Sequence, residues 1–408
     1  MKPEFFLIMD TTGHPCYNNP VKTCSLSESE ARAALGAARR VVVKIGSRVL
    51  VQDSGRPETR RFKALAGDIA ALCGRKHEVV VVTSGAIGTG MQALGMRRRP
   101  GSLHELQMAA AVGQSRLMTR YDRVFTAENK LVGQVLLTHD DLKHRARHLN
   151  ARNTIMAMLR AGVIPVINEN DVVAVDEIKF GDNDLLAALV VHLIKADLLI
   201  MLTMTDGLIR PLAAGKSERI GYLSEISGDI LKLARGKGGE LSTGGMASKL
   251  ESARLAMETT GSPVVIADGR GPGIIRRIMA GEDVGTLIVP AKAGLAAICD
   301  RKRWIAFFHR PKGALTIDAG ACSALEKGGK SLLAIGVKKV EGDFPAGAVV
   351  NILSASGRLI ARGLTTYSSR EIQVVRGRRT DEIAGLLGSK KADELIHRDN
   401  LVLMNADA

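Results

Sequence analysis

This 408-residue chain lacks any apolar run long enough to cross a bilayer. Its longest, Leu185 to Ile194, is broken by His192 and stops far short of the ~20 residues that a spanning helix needs. Nothing at the start supports secretion: Phe5 to Met9 is a short apolar run ended by Asp10, without a small-residue cleavage site. Cysteine is scarce. The five cysteines (Cys16, Cys24, Cys73, Cys299, Cys322) are odd in number and never form a Cys-x-x-Cys pair. That argues against a disulfide scaffold or a zinc site and fits free thiols in a reducing cytoplasm. Collagen-like periodicity and long polar tracts are also missing, while 46% of the residues are hydrophobic. A disordered or fibrous protein is therefore excluded, and the length suits one large and one small domain.

Charge is present in excess and unevenly spread. The chain carries 57 Lys+Arg against 42 Asp+Glu, a net charge of +15. Residues 301–408 hold +7 of it, more than twice the charge per residue of the first 300. A basic small domain fits a nucleic-acid surface, because phosphate neutralisation drives non-specific affinity, and it fits a solvated basic face equally well.

Residues 1–38 show no period and collect Gly, Pro and Asn between Thr11 and Pro20, so they read as an N-terminal extension. From Arg40 onward, short β-branched runs alternate with Ala/Leu-rich stretches, the mark of βα units on a largely parallel sheet. Strands are expected at Val41 to Ile45, Val79 to Thr83, Val132 to Leu137, Val163 to Ile167, Leu198 to Thr203 and Val264 to Ala267. Helices are expected at Thr59 to Cys73, His104 to Arg123, Ala146 to Arg160 and Asp184 to Lys195. The fold class is α/β, a three-layer αβα sandwich with a mainly parallel sheet over residues 39–295. Beyond a Lys/Arg-rich stretch at Arg301 to Trp304, short segments separated by Gly-rich turns (Ala314 to Ile317, Leu332 to Lys339, Ala348 to Leu353, Leu359 to Thr365) describe a small β-barrel over 305–400.

Open α/β sheets bind ligands beyond the C-terminal ends of their strands. The first strand ends in Val43-Lys44-Ile45-Gly46-Ser47, a lysine before a flexible turn, suited to a phosphate or, alternatively, an edge lysine snorkelling to solvent. The second runs into Thr83-Ser84-Gly85-Ala86, a small-residue turn whose amides suit a carboxylate or phosphate. Two motif matches are decoys: Gly88-Thr89-Gly90-Met91-Gln92-Ala93 lies past its turn, and Gly329-Lys330-Ser331 has Ala324 where a Walker loop has glycine. Between Glu169 and Asp184, six acidic residues (Glu169, Asp171, Asp176, Glu177, Asp182, Asp184) crowd sixteen positions with Lys179 and several amides. That composition suits an ammonium-bearing substrate and a magnesium nucleotide better than a solvated loop. Thr243-Gly244-Gly245-Met246-Ala247-Ser248-Lys249 couples a double-glycine turn to a lysine at the start of a helix, both features of phosphate binding.

Taken in order, Val43 to Ser47, Thr83 to Ala86, Ala110-Ala111-Val112-Gly113-Gln114, Val166 to Asp171, Gly181-Asp182-Asn183-Asp184 and Thr243 to Lys249 resemble the glutamate 5-kinases of the amino-acid-kinase family. The resemblance covers roughly residues 40–290, and 305–395 resemble a PUA domain. It implies transfer of the ATP γ-phosphoryl group to the side-chain carboxylate of L-glutamate, giving L-glutamyl 5-phosphate, the first step of proline biosynthesis. On that analogy Lys44 and Lys249 stabilise the transferring charge with magnesium on the phosphates, Asp182 orients the two lysines, and Lys179 supports the phosphate end. Ser84, Asp171 and Asn183 hold glutamate; Lys44, Gly46, Thr203, Met204 and the stretch Thr243, Gly244, Gly245, Met246, Ala247, Ser248 and Lys249 contact ATP. No protein metal site is implied. Proline as feedback inhibitor, weak RNA binding through the PUA domain and a homo-oligomer are implied. Met204 and Ile209 stand where the family usually has an acidic and an aromatic residue, with Asp206 as a substitute if the loop shifts. The alternatives are a kinase for another amino acid and an RNA-binding protein with a vestigial kinase domain.

Overall fold

The computed structural model describes residues 27–51, 58–174, 183–212, 216–235, 245–290, 311–388 and 392–404. The β-branched runs become β1 (Arg40–Ile45), β2 (Glu78–Thr83), β3 (Leu131–Leu137), β4 (Val163–Glu169) and β5 (Leu198–Thr203). A hairpin of β6 (Leu208–Pro211) and β7 (Ser217–Ile220) follows, then β8 (Tyr222–Leu223), β9 (Val264–Asp268) and β10 (Thr286–Ile288). The main sheet has the order β3-β4-β2-β1-β5-β9-β10-β8. Its first six strands run parallel, and β10 is antiparallel to β9. All six strands expected from the sequence are present within two residues at either end. The two- and three-residue strands β8 and β10 are too short to leave a periodic signal.

Connecting helices are α1 (Glu28–Ala34), α2 (Thr59–Gly74), α3 (Ala86–Ala93), α4 (Leu103–Thr126), α5 (His139–Lys143), α6 (Arg145–Arg160), α7 (Asn183–Ile194), α8 (Gly228–Arg235), α9 (Met246–Thr260) and α10 (Ile274–Met279). The two-residue period of β1 sorts them into layers. Val41, Val43 and Ile45 join a core with α2, α4 and α10, while Val42 faces the opposite core with α7 and α9. Helix α7 is buried along nearly its whole length because it lies on the middle of the sheet, flanked by α6 and α9, which accounts for its unbroken apolar texture. Part of the stretch read as an N-terminal extension belongs to this domain: Ala31 and Leu35 pack into the first core. Among the described residues no helix is long and apolar enough to cross a membrane.

The C-terminal region forms a separate five-stranded sheet, β12-β11-β13-β14-β15, from β11 (Ala314–Ile317), β12 (Val337–Glu341), β13 (Val349–Leu353), β14 (Leu359–Leu364) and β15 (Leu401–Leu403). It has its own core around Leu315, Val350, Ile352 and Tyr367. The expected strand Leu332 to Lys339 begins only at Val337, because Ala334–Gly336 is a 3-10 turn. Gly329, in the Walker-like stretch, is the left-handed cap of helix Ala319–Gly328, so that match is a turn.

Candidate active site

Strands β4, β2, β1 and β5 are consecutive neighbours and parallel, so their C-terminal ends line up over ~15 Å at the ~4.8 Å spacing of a sheet. They deliver Asn168 to Asp171, Ser84 and Gly85, Lys44 to Ser47, and Thr203 to Thr205 to one cleft of about 950 Å³, closed on one side by Asn183, Asp184, Gly245, Met246 and Lys249. Of the residues singled out in the sequence, Lys44, Gly46, Ser84, Asp171, Asn183, Thr203, Met204, Gly245, Met246 and Lys249 line this cleft together. Ala247 and Ser248 are buried in the first turn of α9. Lys179, Asp182, Thr243 and Gly244 lie outside the described residues.

The centre of the cleft is an ion triad. Lys44 shares the β1 face of Val42 by the strand period, the face on which α7 and α9 pack. Its Nζ lies 2.6 Å from Asp184 Oδ1, and Lys249 Nζ lies 2.9 Å from Asp184 Oδ2. All three are buried, Asp184 to 1% exposure. Burial pushes the Asp184 carboxyl up, but the charges and hydrogen bonds of Lys44 and Lys249 outweigh it and hold the group below its ordinary value. Among the described residues the carboxylate that joins the two lysines is Asp184, in the first turn of α7; Asp182, to which the resemblance assigned that role, lies outside the described residues. Two positive charges on one carboxylate leave net positive charge at the cleft floor. The N-terminus of α9 adds to it, since Gly245 caps the helix without a side-chain hydrogen bond.

Ser84 is placed by a relay of amides that sequence reasoning missed. Asn183 Nδ2 donates to Ser84 Oγ (2.8 Å), Thr83 O (2.8 Å) and Asn168 Oδ1 (3.0 Å), and Asn168 Nδ2 donates to Gln114 Oε1 at 2.8 Å. The relay fixes which way each amide points. Gly85, with φ of 109°, makes the turn from β2 into α3. Its helix meets α4 at a glycine crossing: a Cβ on Gly90 would lie 1.7 Å from Ala109 O, and one on Gly113 would lie 1.8 Å from Ala86 O. The dinucleotide-like match around Gly90 is thus a helix-packing device. The Ala110 to Gln114 motif supplies both that crossing and the end of the relay.

At the acidic end of the cleft, burial pushes the Asp171 carboxyl up to about 6, against the opposing influence of Arg99. A carboxylate short of solvent is primed for a cation. At the other end, Met204 packs against the core while lining the cleft, and its carbonyl accepts a 3.0 Å hydrogen bond from Arg270. Asp206 does not turn toward the cleft in place of an acidic residue at 204. Its Oδ1 accepts from Gly285 N at 2.9 Å and its Oδ2 sits 3.5 Å from Arg219 Nε.

Known proteins bear on this arrangement in two ways. Residues 39–268 match the model of the amino acid kinase family, and residues 313–387 match the PUA domain. A protein named glutamate 5-kinase from Moorella thermoacetica is 45% identical over 93% of this chain and 100% of its own length. One so named from Citrifermentans bemidjiense is 46% identical over 91% of this chain and 99% of its own. By the family match over more than half its length and by these relatives, the chain belongs to the amino acid kinase family, in the branch of the glutamate 5-kinases.

Proposed function

We propose that the protein transfers the γ-phosphoryl group of ATP to the side-chain carboxylate of L-glutamate, forming L-glutamyl 5-phosphate for proline synthesis. The observation that carries this reading is the Lys44–Asp184–Lys249 triad, in one cleft with an acidic, amide-lined end and with the N-terminus of α9. Attacking carboxylate and transferring phosphoryl group are both anionic, so catalysis consists of bringing two anions together and stabilising the charge between them.

Asp171 binds the substrate ammonium, and Ser84, oriented by Asn183, holds a substrate carboxylate. Lys44 and Lys249 donate hydrogen bonds to the oxygens of the transferring group, and Asp184 keeps both ammonium groups aimed at it. The carboxylate oxygen forms a bond to phosphorus as the bond to the ADP oxygen breaks, and no proton need be removed from the nucleophile. Gly245 and the first turn of α9, with Gly46 and the Thr203–Met204 wall, hold the remaining phosphates and the nucleoside. Among the described residues no three His, Cys, Asp or Glu side chains converge as a metal site, and magnesium, bound with the nucleotide, adds charge neutralisation at the phosphates. Proline competes for the glutamate end, the PUA-matching region binds RNA weakly, and the chain acts as a homo-oligomer in the cytoplasm.

The test is ADP release by the purified protein with L-glutamate, L-aspartate and N-acetyl-L-glutamate as acceptors. Release with glutamate alone supports the reading. Preference for another acid, or no turnover with any, rejects it.

A further inference from the structure

We propose that Arg32, on the N-terminal helix α1, is a positioning residue for the nucleotide: it anchors the loop 281–286, and through Arg219 and Asp206 that loop sets the Thr203–Thr205 wall of the cleft. The inference rests on the reading of that wall as the nucleotide end of the site.

A buried guanidinium is costly unless its donors are met, and Arg32, at 3% exposure, meets them on one loop and its neighbours. Nη1 donates to Glu282 O at 3.2 Å and to Val284 O at 3.1 Å; Nη2 donates to Gly221 O at 2.8 Å and pairs with Asp283 Oδ1 at 2.9 Å. Nε donates to Glu28 Oε1 at 2.8 Å, which ties the residue back to its own helix. Ala31 in α1 and Leu35 just after it also pack into the core, so the helix has apolar anchors besides the guanidinium. What it does is hold a loop.

The same loop holds the cleft wall from its other side. Asp283 Oδ2 accepts from Arg219 Nη2 at 2.8 Å, and Arg219 Nη1 donates to Gly285 O. Arg219 Nε faces Asp206 Oδ2, whose partner oxygen Oδ1 takes the Gly285 N–H. Two residues on, Leu208 N donates to Thr286 Oγ1 at 2.7 Å, and that hydroxyl donates to Ile220 O at 2.6 Å. The segment that carries Thr203, Met204 and Thr205 into the cleft is thus fastened, at Asp206 and Leu208, to the loop that Arg32 grips. The triad stands on β1, α7 and α9, and the amide relay on β2, β4, α4 and α7, so neither shares a contact with Arg32. Loosening the loop moves one wall only.

Steady-state kinetics of the full chain separate this from a general structural role. Arg219→Met and Arg32→Met are each expected to raise the KM for ATP about fivefold, with glutamate KM and kcat within about twofold of wild type. Arg32→Lys recovers part of the loss, since an ammonium meets some but not all of the acceptors of a planar fork. The double variant Arg32→Met/Asp206→Asn is expected to be no worse for ATP than the worse single variant, because both cut one chain of contacts. An ATP KM unchanged in folded variants overturns the proposal, and so does an equal rise in both KM values. Should Arg32→Met fail to fold, Arg219→Met and Asp206→Asn decide by the same criteria. If the wild type turns over no glutamate, the proposed function falls by itself; equilibrium dialysis with ATP then decides this inference, because Arg219→Met must still weaken ATP binding.

Discussion

Replacing Asp184 by Asn changes one charge and almost no volume at the centre of the site. In the wild type the carboxylate sits 2.6 Å from one ammonium and 2.9 Å from the other, all three groups buried. Without it, two ammonium groups ~5 Å apart repel by ~3 kcal/mol at an effective dielectric of ~20. Removing one partner from a buried ion group costs ~3–5 kcal/mol of stability. The strain is relieved when one lysine turns away. The transferring phosphoryl group then loses one charge contact, worth ~3 kcal/mol or ~10²-fold in kcat. Glutamate KM should stay within about threefold, because Ser84, Asn183 and Asp171 are untouched. The assay is glutamate-dependent ADP release alongside thermal unfolding. The unfolding data carry a sign of their own: the Asp184 carboxyl is held below its ordinary value, so its stabilisation is present above about pH 4 and lost as the pH falls further. The stability gap between wild type and Asp184→Asn should therefore narrow below about pH 4. Turnover within about threefold of wild type in folded Asp184→Asn would refute the reasoning.

Four further outcomes are expected. Lys44→Ala and Lys249→Ala each lower kcat by ~10²-fold or more with a small change in glutamate KM, and near-normal turnover in both removes the pair from the mechanism. With Asp171 at about 6, kcat/KM for glutamate falls as the pH drops through that value, since only the carboxylate pairs with the ammonium; Asp171→Asn raises glutamate KM and flattens that limb, and an unflattened limb assigns the titration elsewhere. Gly113→Ala drives a methyl group into Ala86 O, which should lower Tm and raise glutamate KM together by displacing the Ser84 turn; a Tm equal to wild type contradicts the tight crossing of α3 and α4. Deleting residues 305–408 removes a core that shares no residue with those of the kinase domain, so a folded, active product is expected, whereas loss of activity in a folded product shows that the region supports the site.

The sheet was legible because its central strands are continuous apolar runs buried on both faces, and the cleft because its motifs sit at strand ends where ligands bind. Spacing did not show which carboxylate of Gly181-Asp182-Asn183-Asp184 turns inward. Asp184 turns inward because it stands in the first turn of α7, which starts at Asn183 and packs against the sheet beside β1. Gln114 and Asn168 were hidden because their role is to orient other amides across elements far apart in sequence. Arg32 was hidden for a related reason: its partners lie some 190 to 250 residues away, and a seven-residue helix beside a stretch without period shows nothing of them.

The central claim is that this cleft makes an acyl phosphate on glutamate. Hydroxylamine added during turnover with ATP and L-glutamate should trap the γ-hydroxamate of glutamate in step with ADP release, and both signals should fall together in Lys249→Ala. ADP formed without hydroxamate, or hydroxamate formed at the same rate in Lys249→Ala, would contradict the account.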